Sequence, residues 1–261
     1  MLSKPIFKQT LKANFKLWLI FTLIMTVFHM VLVAVFDPKT LSDMSGMVKD
    51  TPLANLLGEA SFLGMLAKTF YGIQGILLPV VFIIMTANSL IASQVDRGSM
   101  AYLLSTPTKR STVVLTQAVY LITSLFVMVL IVNLAGLASI RIFQGDLDLN
   151  KMDYLKLNIG LFLLMFATSG ISFFFSCLFN LSKNSLAWGA GIPMAFFLLK
   201  LMGDVDSSLE GLKYVSMNAL FDTHAILNGG TYTLQFVALA VAGSVLYMLG
   251  IRVFKQKDLP L

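Results

Sequence analysis

From Ser111 to Ile140 the chain carries no charged residue, and Arg141 ends the run. As a helix beginning near Thr112, this is about 28 residues and roughly 42 Å of rod. A bilayer's hydrocarbon core is about 30 Å thick, so such a helix must tilt or project into the cytoplasm. Further apolar runs lie at about 17–36, 69–92, 157–181, 186–202 and 232–254. They are continuous rather than alternating, which argues for helices and against a β-barrel. Only 12% of the residues are charged and 57% are hydrophobic, far from the roughly 25% charged of soluble domains. The chain reads as an all-α membrane protein, one transmembrane domain over residues 1–261 with six transmembrane helices. Gly72, Gly75 and Pro79 interrupt the second span, predicting a kink near Pro79. The short fifth span contains Gly189, Gly191 and Pro193.

The N-terminal residues add a second pattern. Lys4, Lys8, Lys12 and Lys16 recur every four positions, and Phe7, Leu11 and Phe15 recur one position earlier. On a helix these are two adjacent stripes, which predicts an amphipathic interfacial helix over residues 3–16, lysines toward anionic headgroups. The plainer reading is a positively charged lead without fixed geometry. No small-residue cleavage site follows, so this segment is not read as a cleaved signal. Thr51-Pro52 marks a possible short interfacial helix carrying Leu53, Leu56 and Leu57. Ser182 to Ser185 reads as a tight polar turn, and Ala219 to Leu227 is apolar enough to dip back into the bilayer.

Six spans place both termini on one side, and the charges test that arrangement. The bases at positions 4, 8, 12, 16, 97, 109, 110, 183, 252, 255 and 257 would share a face with only Asp96 and Asp258. That face is net positive and the opposite one net negative, so the termini and the 93–111 loop are expected in the cytoplasm. The net charge of +6 is thereby explained without nucleic acid.

The stretch from Ser93 to Gln117 joins the second and third spans. Between Gly98 and Pro107 there is room for two helical turns, with Met100, Leu103 and Leu104 on one face and Tyr102 beside them. Asp96, Arg97, Lys109 and Arg110 flank it. A short amphipathic helix on the positive side of a bundle either caps the bundle or docks into a soluble partner.

Missing motifs narrow the chemistry. There is no phosphate loop ending in Gly-Lys-Ser/Thr and no Gly-x-Ser-x-Gly elbow. The only histidines are His29 and His224, not at zinc-protease spacing. The predicted spans contain no carboxylate of the kind that relays protons. No catalytic or metal-ligating residue is assigned, and no enzyme activity is expected of this chain.

The loop resembles that of the type-2 ATP-binding-cassette (ABC) permeases. In that family it carries an acid, an Arg-Gly pair, a Leu-Leu, then Pro and a base; here these are Asp96, Arg97-Gly98, Leu103-Leu104, Pro107 and Arg110. The end of the chain, Phe254 to Leu259, is similar to the family's basic-acidic tail. Gln117 departs from it, since family members often have Lys there. The resemblance implies a membrane subunit that pairs with a second permease copy or a related permease. It also implies a separate P-loop ATPase subunit that binds ATP and Mg, while this chain binds no cofactor itself. The short cytoplasmic helix would then be a coupling helix seated in the ATPase. Met100, Tyr102, Leu103 and Leu104 would be its apolar anchors, Arg97 and Arg110 its partners for acids, and Asp96 a cap or a partner of Arg97.

The same resemblance places the substrate path along the second and fifth spans. Phe82, Met85 and Asn88 lie on the one, and Met194, Phe196, Phe197 and Leu198 on the other; Met and Phe suit adaptable apolar binding. Ordinary helix packing is the competing reading for each. His29 is expected as a hydrogen-bonded packing residue, Asn133 and Gln74 as interhelical hydrogen-bond partners, and Cys177 as a small buried hydrophobe. The function implied is export of an amphipathic or hydrophobic substrate (a drug, peptide or lipid-like molecule) across a bacterial plasma membrane. The alternative is a non-transporting interaction or immunity protein that docks a cytosolic partner through the same loop.

Overall fold

The computed structural model describes residues 2–36, 61–105, 108–145, 150–205 and 209–258. All regular elements among them are helical. Six helical segments are long and apolar enough to cross a membrane: Lys4–Val35, Phe62–Asp96, Arg110–Phe143, Lys151–Leu178, Ser182–Asp204 and Thr233–Gln256. They are called the first to sixth spans below. The expected short helix near Thr51-Pro52 and the residue Pro107 lie outside the described residues.

The first span is one continuous helix of 32 residues, not an interfacial helix followed by a separate span. Pro5 sits in its first turn, where a missing N–H costs nothing, and no Gly or Pro follows to break it. Its N-terminal half is held along the third span, which runs parallel to it. The Ser3 N–H donates to Thr116 Oγ1 (3.1 Å), Thr10 Oγ1 to Gln117 Oε1 (3.1 Å), and Trp18 Nε1 to the Ser124 carbonyl (2.9 Å). Farther along, Gln144 Nε2 donates to the Val33 carbonyl. The buried face is Ile6, Thr10, Thr22, Met25, His29 and Val33. Of the expected apolar stripe, Phe7 meets Tyr120 edge-on at 5.9 Å, whereas Leu11 and Phe15 stay exposed.

The fourth span is the centre of the bundle and packs on the second, third, fifth and sixth. Small residues bring the fourth and sixth together, since without a hydrophobic drive between lipid-soaked helices close backbone approach supplies the attraction. A Cβ on Gly170 would lie 3.2 Å from the Gly243 carbonyl, and one on Gly250 would lie 3.3 Å from the Phe174 Cα. Between those glycines, Ser169 Oγ and the Tyr247 hydroxyl share a hydrogen bond of 2.8 Å.

The two intraspan prolines are handled differently. Pro79 cannot donate to the Gly75 carbonyl, and the second span carries a π-helical stretch, Ala67–Gln74, directly before that glycine. The irregularity expected at Pro79 therefore sits about a turn upstream. Pro193 leaves the Gly189 carbonyl without its helical donor, yet the fifth span runs unbroken through it. Ser172 Oγ of the fourth span supplies the bond at 2.7 Å. Removing that hydroxyl strands a buried carbonyl, so Ser172→Ala is expected to cost about 1–2 kcal/mol in thermal unfolding of the detergent-solubilised protein. Adding Pro193→Ala restores a backbone donor and should recover part of the loss. Equal melting of Ser172→Ala and the parent would contradict this account.

The expected turn at Ser182 to Ser185 is instead the first turn of the fifth span; the chain reverses over residues 179–181. After the fifth span the described residues include the short helices Glu210–Lys213, the 3-10 turn Met217–Leu220 and Thr223–Leu227. Asp222 Oδ1 caps the last by accepting from the His224 and Ala225 N–H groups. This segment packs onto the bundle through Phe221 and Ile226, each 1% exposed.

Candidate functional site

The second span does not end smoothly. At Ile91 the backbone leaves the helical region (φ −130°, ψ −70°), and a new helix, Ala92–Asp96, begins beyond it. Arg97 and Gly98 make the next turn, with Gly98 at φ +72°, a left-handed conformation that glycine takes without strain. The short helix Ser99–Leu104 follows. The third span starts at Arg110.

This helix is anchored on one side only. Met100 is fully buried, and Leu103 and Leu104 are half-buried against the core. Tyr102 is 82% exposed. Of the four expected anchors, Met100 thus holds the helix to its own bundle, and Tyr102 is the one that projects. Arg97 and Lys109 are exposed, as are Lys4, Lys8, Lys12 and Lys16 on the neighbouring helix. A cavity of about 390 Å³ opens between the two, lined by Asn14, Ser89, Gln94, Ser99 and Gln117 among others.

Asp96 caps a helix, but a distant one. Its Oδ2 accepts from the Ser182 N–H at 3.2 Å, at the start of the fifth span, where unpaired N–H groups and the helix dipole favour a carboxylate. Arg110 turns to the other end of the chain: its Nη1 donates to the Lys257 carbonyl at 3.0 Å, and Lys257 Nζ donates to the Cys177 carbonyl at 3.0 Å. Both ends of the loop are therefore tied to the C-terminal end of the fourth span and the first turn of the fifth. Sequence reading missed the Asp96–Ser182 cap, the Arg110–Lys257 link and Ser176 Oγ of the fourth span, which accepts from the Ala92 N–H at 3.0 Å. The one available signal was the four-residue spacing of Asn88, Ala92 and Asp96.

Burial lowers the Lys257 amine from 10.5 to about 8. Unfolding then takes up a proton between about pH 8 and 10.5, so stability rises with pH across that window and the group contributes no slope below it. The neutral amine still donates to Cys177. The melting temperature should accordingly climb between pH 8 and 10, and Lys257→Met should climb less. Identical slopes for the two proteins would contradict the burial of this amine.

The residues expected along a substrate path do not converge. Phe82 and Phe197 are sealed inside the bundle, Phe82 against Phe21. Asn88 Nδ2 donates to Ser182 Oγ at 2.8 Å. Met85 and Leu198 point outward, 47% and 51% exposed; Met194 and Phe196 are half-buried. His29 is fully buried, but neither ring nitrogen has a hydrogen-bond partner among the described residues. It packs instead against Phe70 at 4.4 Å. The side-chain oxygens of Asn133 and Gln74 likewise lack partners among them; only the Asn133 backbone carbonyl bridges helices, accepting from the Tyr154 hydroxyl. Cys177 is a buried free thiol, as expected. Among the described residues no group of histidines, cysteines and carboxylates is arranged to hold a metal.

Six membrane-length helices and a one-sided loop helix after the second are the geometry a family assignment must fit. The family model of the ABC-2 family transporter protein matches residues 7–259. The chain belongs to the ABC-2 transporter family. No curated protein matches it. The match covers the loop, five spans whole and the first from residue 7 onward, and Gln117 lies within it. At that position the permease buries Gln117 against Thr10 rather than presenting a cation. It is a multi-pass membrane subunit of a transporter, in a family whose members work with an ATP-binding partner.

Proposed function

We propose that this permease exports an amphipathic or hydrophobic molecule using ATP hydrolysed by a separate P-loop ATPase subunit, with ATP and Mg held there. Two permease copies, or this chain and a related one, pair around the path, with both termini and the coupling loop in the cytoplasm of a bacterial cell. The observation that carries the reading is Tyr102, held out at 82% exposure on a helix whose opposite side is buried. A tyrosine fixed in that way is a ready anchor for a cleft in a partner, since aromatic residues dominate such interfaces. Arg97 and Lys109 beside it suit acids on the ATPase. Leu103 and Leu104 support the anchor from the flank. Met85 and Leu198 are the path residues with the most accessible surface, and Asn88, Met194 and Phe196 are half-buried. Phe82 and Phe197 would join only after the helices move.

The test is co-expression with P-loop ATPase subunits from the same genome, a neighbouring reading frame first, followed by purification through a tag on the permease. Joint elution and ATP-dependent efflux of amphipathic dyes or peptides from cells are expected. Joint elution with no transported molecule in a broad panel would favour the non-transporting alternative. Failure of the ATPase to bind would end the proposal.

A further inference from the structure

The break at Ile91 leaves a backbone group to be accounted for. In an unbroken helix the Ala92 N–H would donate to the Asn88 carbonyl. Here it donates to Ser176 Oγ of the fourth span at 3.0 Å, in a buried site. Ala92 is fully buried, so water cannot satisfy that donor. Ser176 thus holds the second span in its broken form. Asn88, Ala92 and Asp96, four residues apart along the chain, all bond to the segment 176–182 that joins the fourth and fifth spans. Asn88 Nδ2 reaches Ser182 Oγ, the Ala92 N–H reaches Ser176, and Asp96 Oδ2 reaches the Ser182 N–H.

These three bonds differ in what they join. Asn88 lies above the break and belongs to the membrane part of the second span. Asp96 lies below it and moves with the short helix Ser99–Leu104, separated only by the Arg97-Gly98 turn. Above the break the covalent helix continues into the bundle; at Ile91 that continuity is interrupted. Below it the helix Ala92–Asp96 starts on the Ile91 carbonyl, which accepts from the Gln94 and Val95 N–H groups, and its far end carries the charged cap on the first turn of the fifth span. A push at Ser99–Leu104 can therefore reach not only its own span, through the backbone at Ile91, but also a span 86 residues away in sequence, through Asp96.

We infer that Ile91 is a hinge and that Asp96 is the positioning residue through which movement of the coupling helix reaches the fifth span. The inference rests on the functional reading above, in which an ATPase pushes on that helix. Ser176 keeps the hinge open by occupying the Ala92 donor. In this arrangement the fifth span, with Met194, Phe196 and Leu198 on it, is the element driven first.

The experiment uses the full permease in complex with its ATPase, reconstituted in lipid vesicles. Cys177→Ala removes the native thiol, and spin labels are placed at exposed positions on three elements: Ser105→Cys on the loop helix, Lys183→Cys on the fifth span and Met85→Cys on the second. Distances are measured with and without ATP and vanadate. The 105–183 distance is expected to stay constant while the 105–85 distance shifts. Asp96→Ala should make the 105–183 distance shift as well. Asp96→Asn, whose side-chain oxygen can still cap Ser182, should restore the constant distance. A shifting 105–183 distance in the parent complex overturns the inference alone, as does an unchanged pattern in Asp96→Ala. Loss of ATPase binding from Asp96→Ala would place Asp96 in the docking surface and also overturns it. Failure of the parent to bind any ATPase overturns the functional reading and this inference with it.

Discussion

Tyr102→Ala is expected to weaken binding of the ATPase subunit roughly thirtyfold, the effect of losing about 2 kcal/mol at an aromatic anchor. The side chain is 82% exposed in the isolated subunit, so its removal leaves no cavity in the bundle and should not change the melting temperature. Met100→Ala is the matching control. Met100 is fully buried, and truncating it is expected to cost about 2–4 kcal/mol of stability while the folded fraction keeps its affinity. Titration of the purified ATPase against each variant separates the two effects. If Tyr102→Ala bound as tightly as the parent, the projecting face would have no role in docking. If Met100→Ala lost affinity without losing stability, the orientation of the helix would be wrong.

The second large effect is on the bundle itself. Gly136 of the third span faces His29 of the first and Tyr154 of the fourth. A Cβ there would overlap the Tyr154 hydroxyl and the His29 ring. Both neighbours are confined: His29 is wedged against Phe70 and Tyr71, and Tyr154 is 1% exposed. Gly136→Ala is therefore expected to destabilise the protein by about 3 kcal/mol, the upper end of overpacking penalties. It should appear as a lower melting temperature in detergent. Tyr154→Phe removes the hydroxyl the new methyl meets first, so the double variant should melt above Gly136→Ala alone. A Gly136→Ala protein that melts with the parent would show that this contact is looser than the structure has it.

How much of this could be read in advance follows from where each interaction lies along the chain. The six spans are local facts: uncharged apolar runs of membrane length, and each is found as a helix. The loop helix is also local, because Gly98 supplies the left-handed turn that starts it. The continuity of the first span was hidden by its lysines. They mimic a surface helix, although the face that matters there is the Thr10 side, bonded to Gln117 some 107 positions away. How the fifth span runs through Pro193 was hidden for a related reason, since the rescuing hydroxyl of Ser172 lies on another helix. The candidate site divides in the same way. Tyr102 and the flanking bases were visible as a pattern. The partner of Asp96 was not, because nothing in residues 93–111 points to Ser182. The proposed path residues suffered most, as burial inside a bundle depends on how helices rotate, and helices as uniformly apolar as these give little sign of which face turns inward.

The central claim is that a membrane bundle is driven through the helix Ser99–Leu104. A photo-reactive phenylalanine analogue placed at position 102 of the permease, irradiated in intact cells that co-express the ATPase, tests it most directly. The account predicts a covalent adduct between the permease and the ATPase subunit. Adducts to lipid alone, or labelling of position 102 from outside the cell, would contradict it.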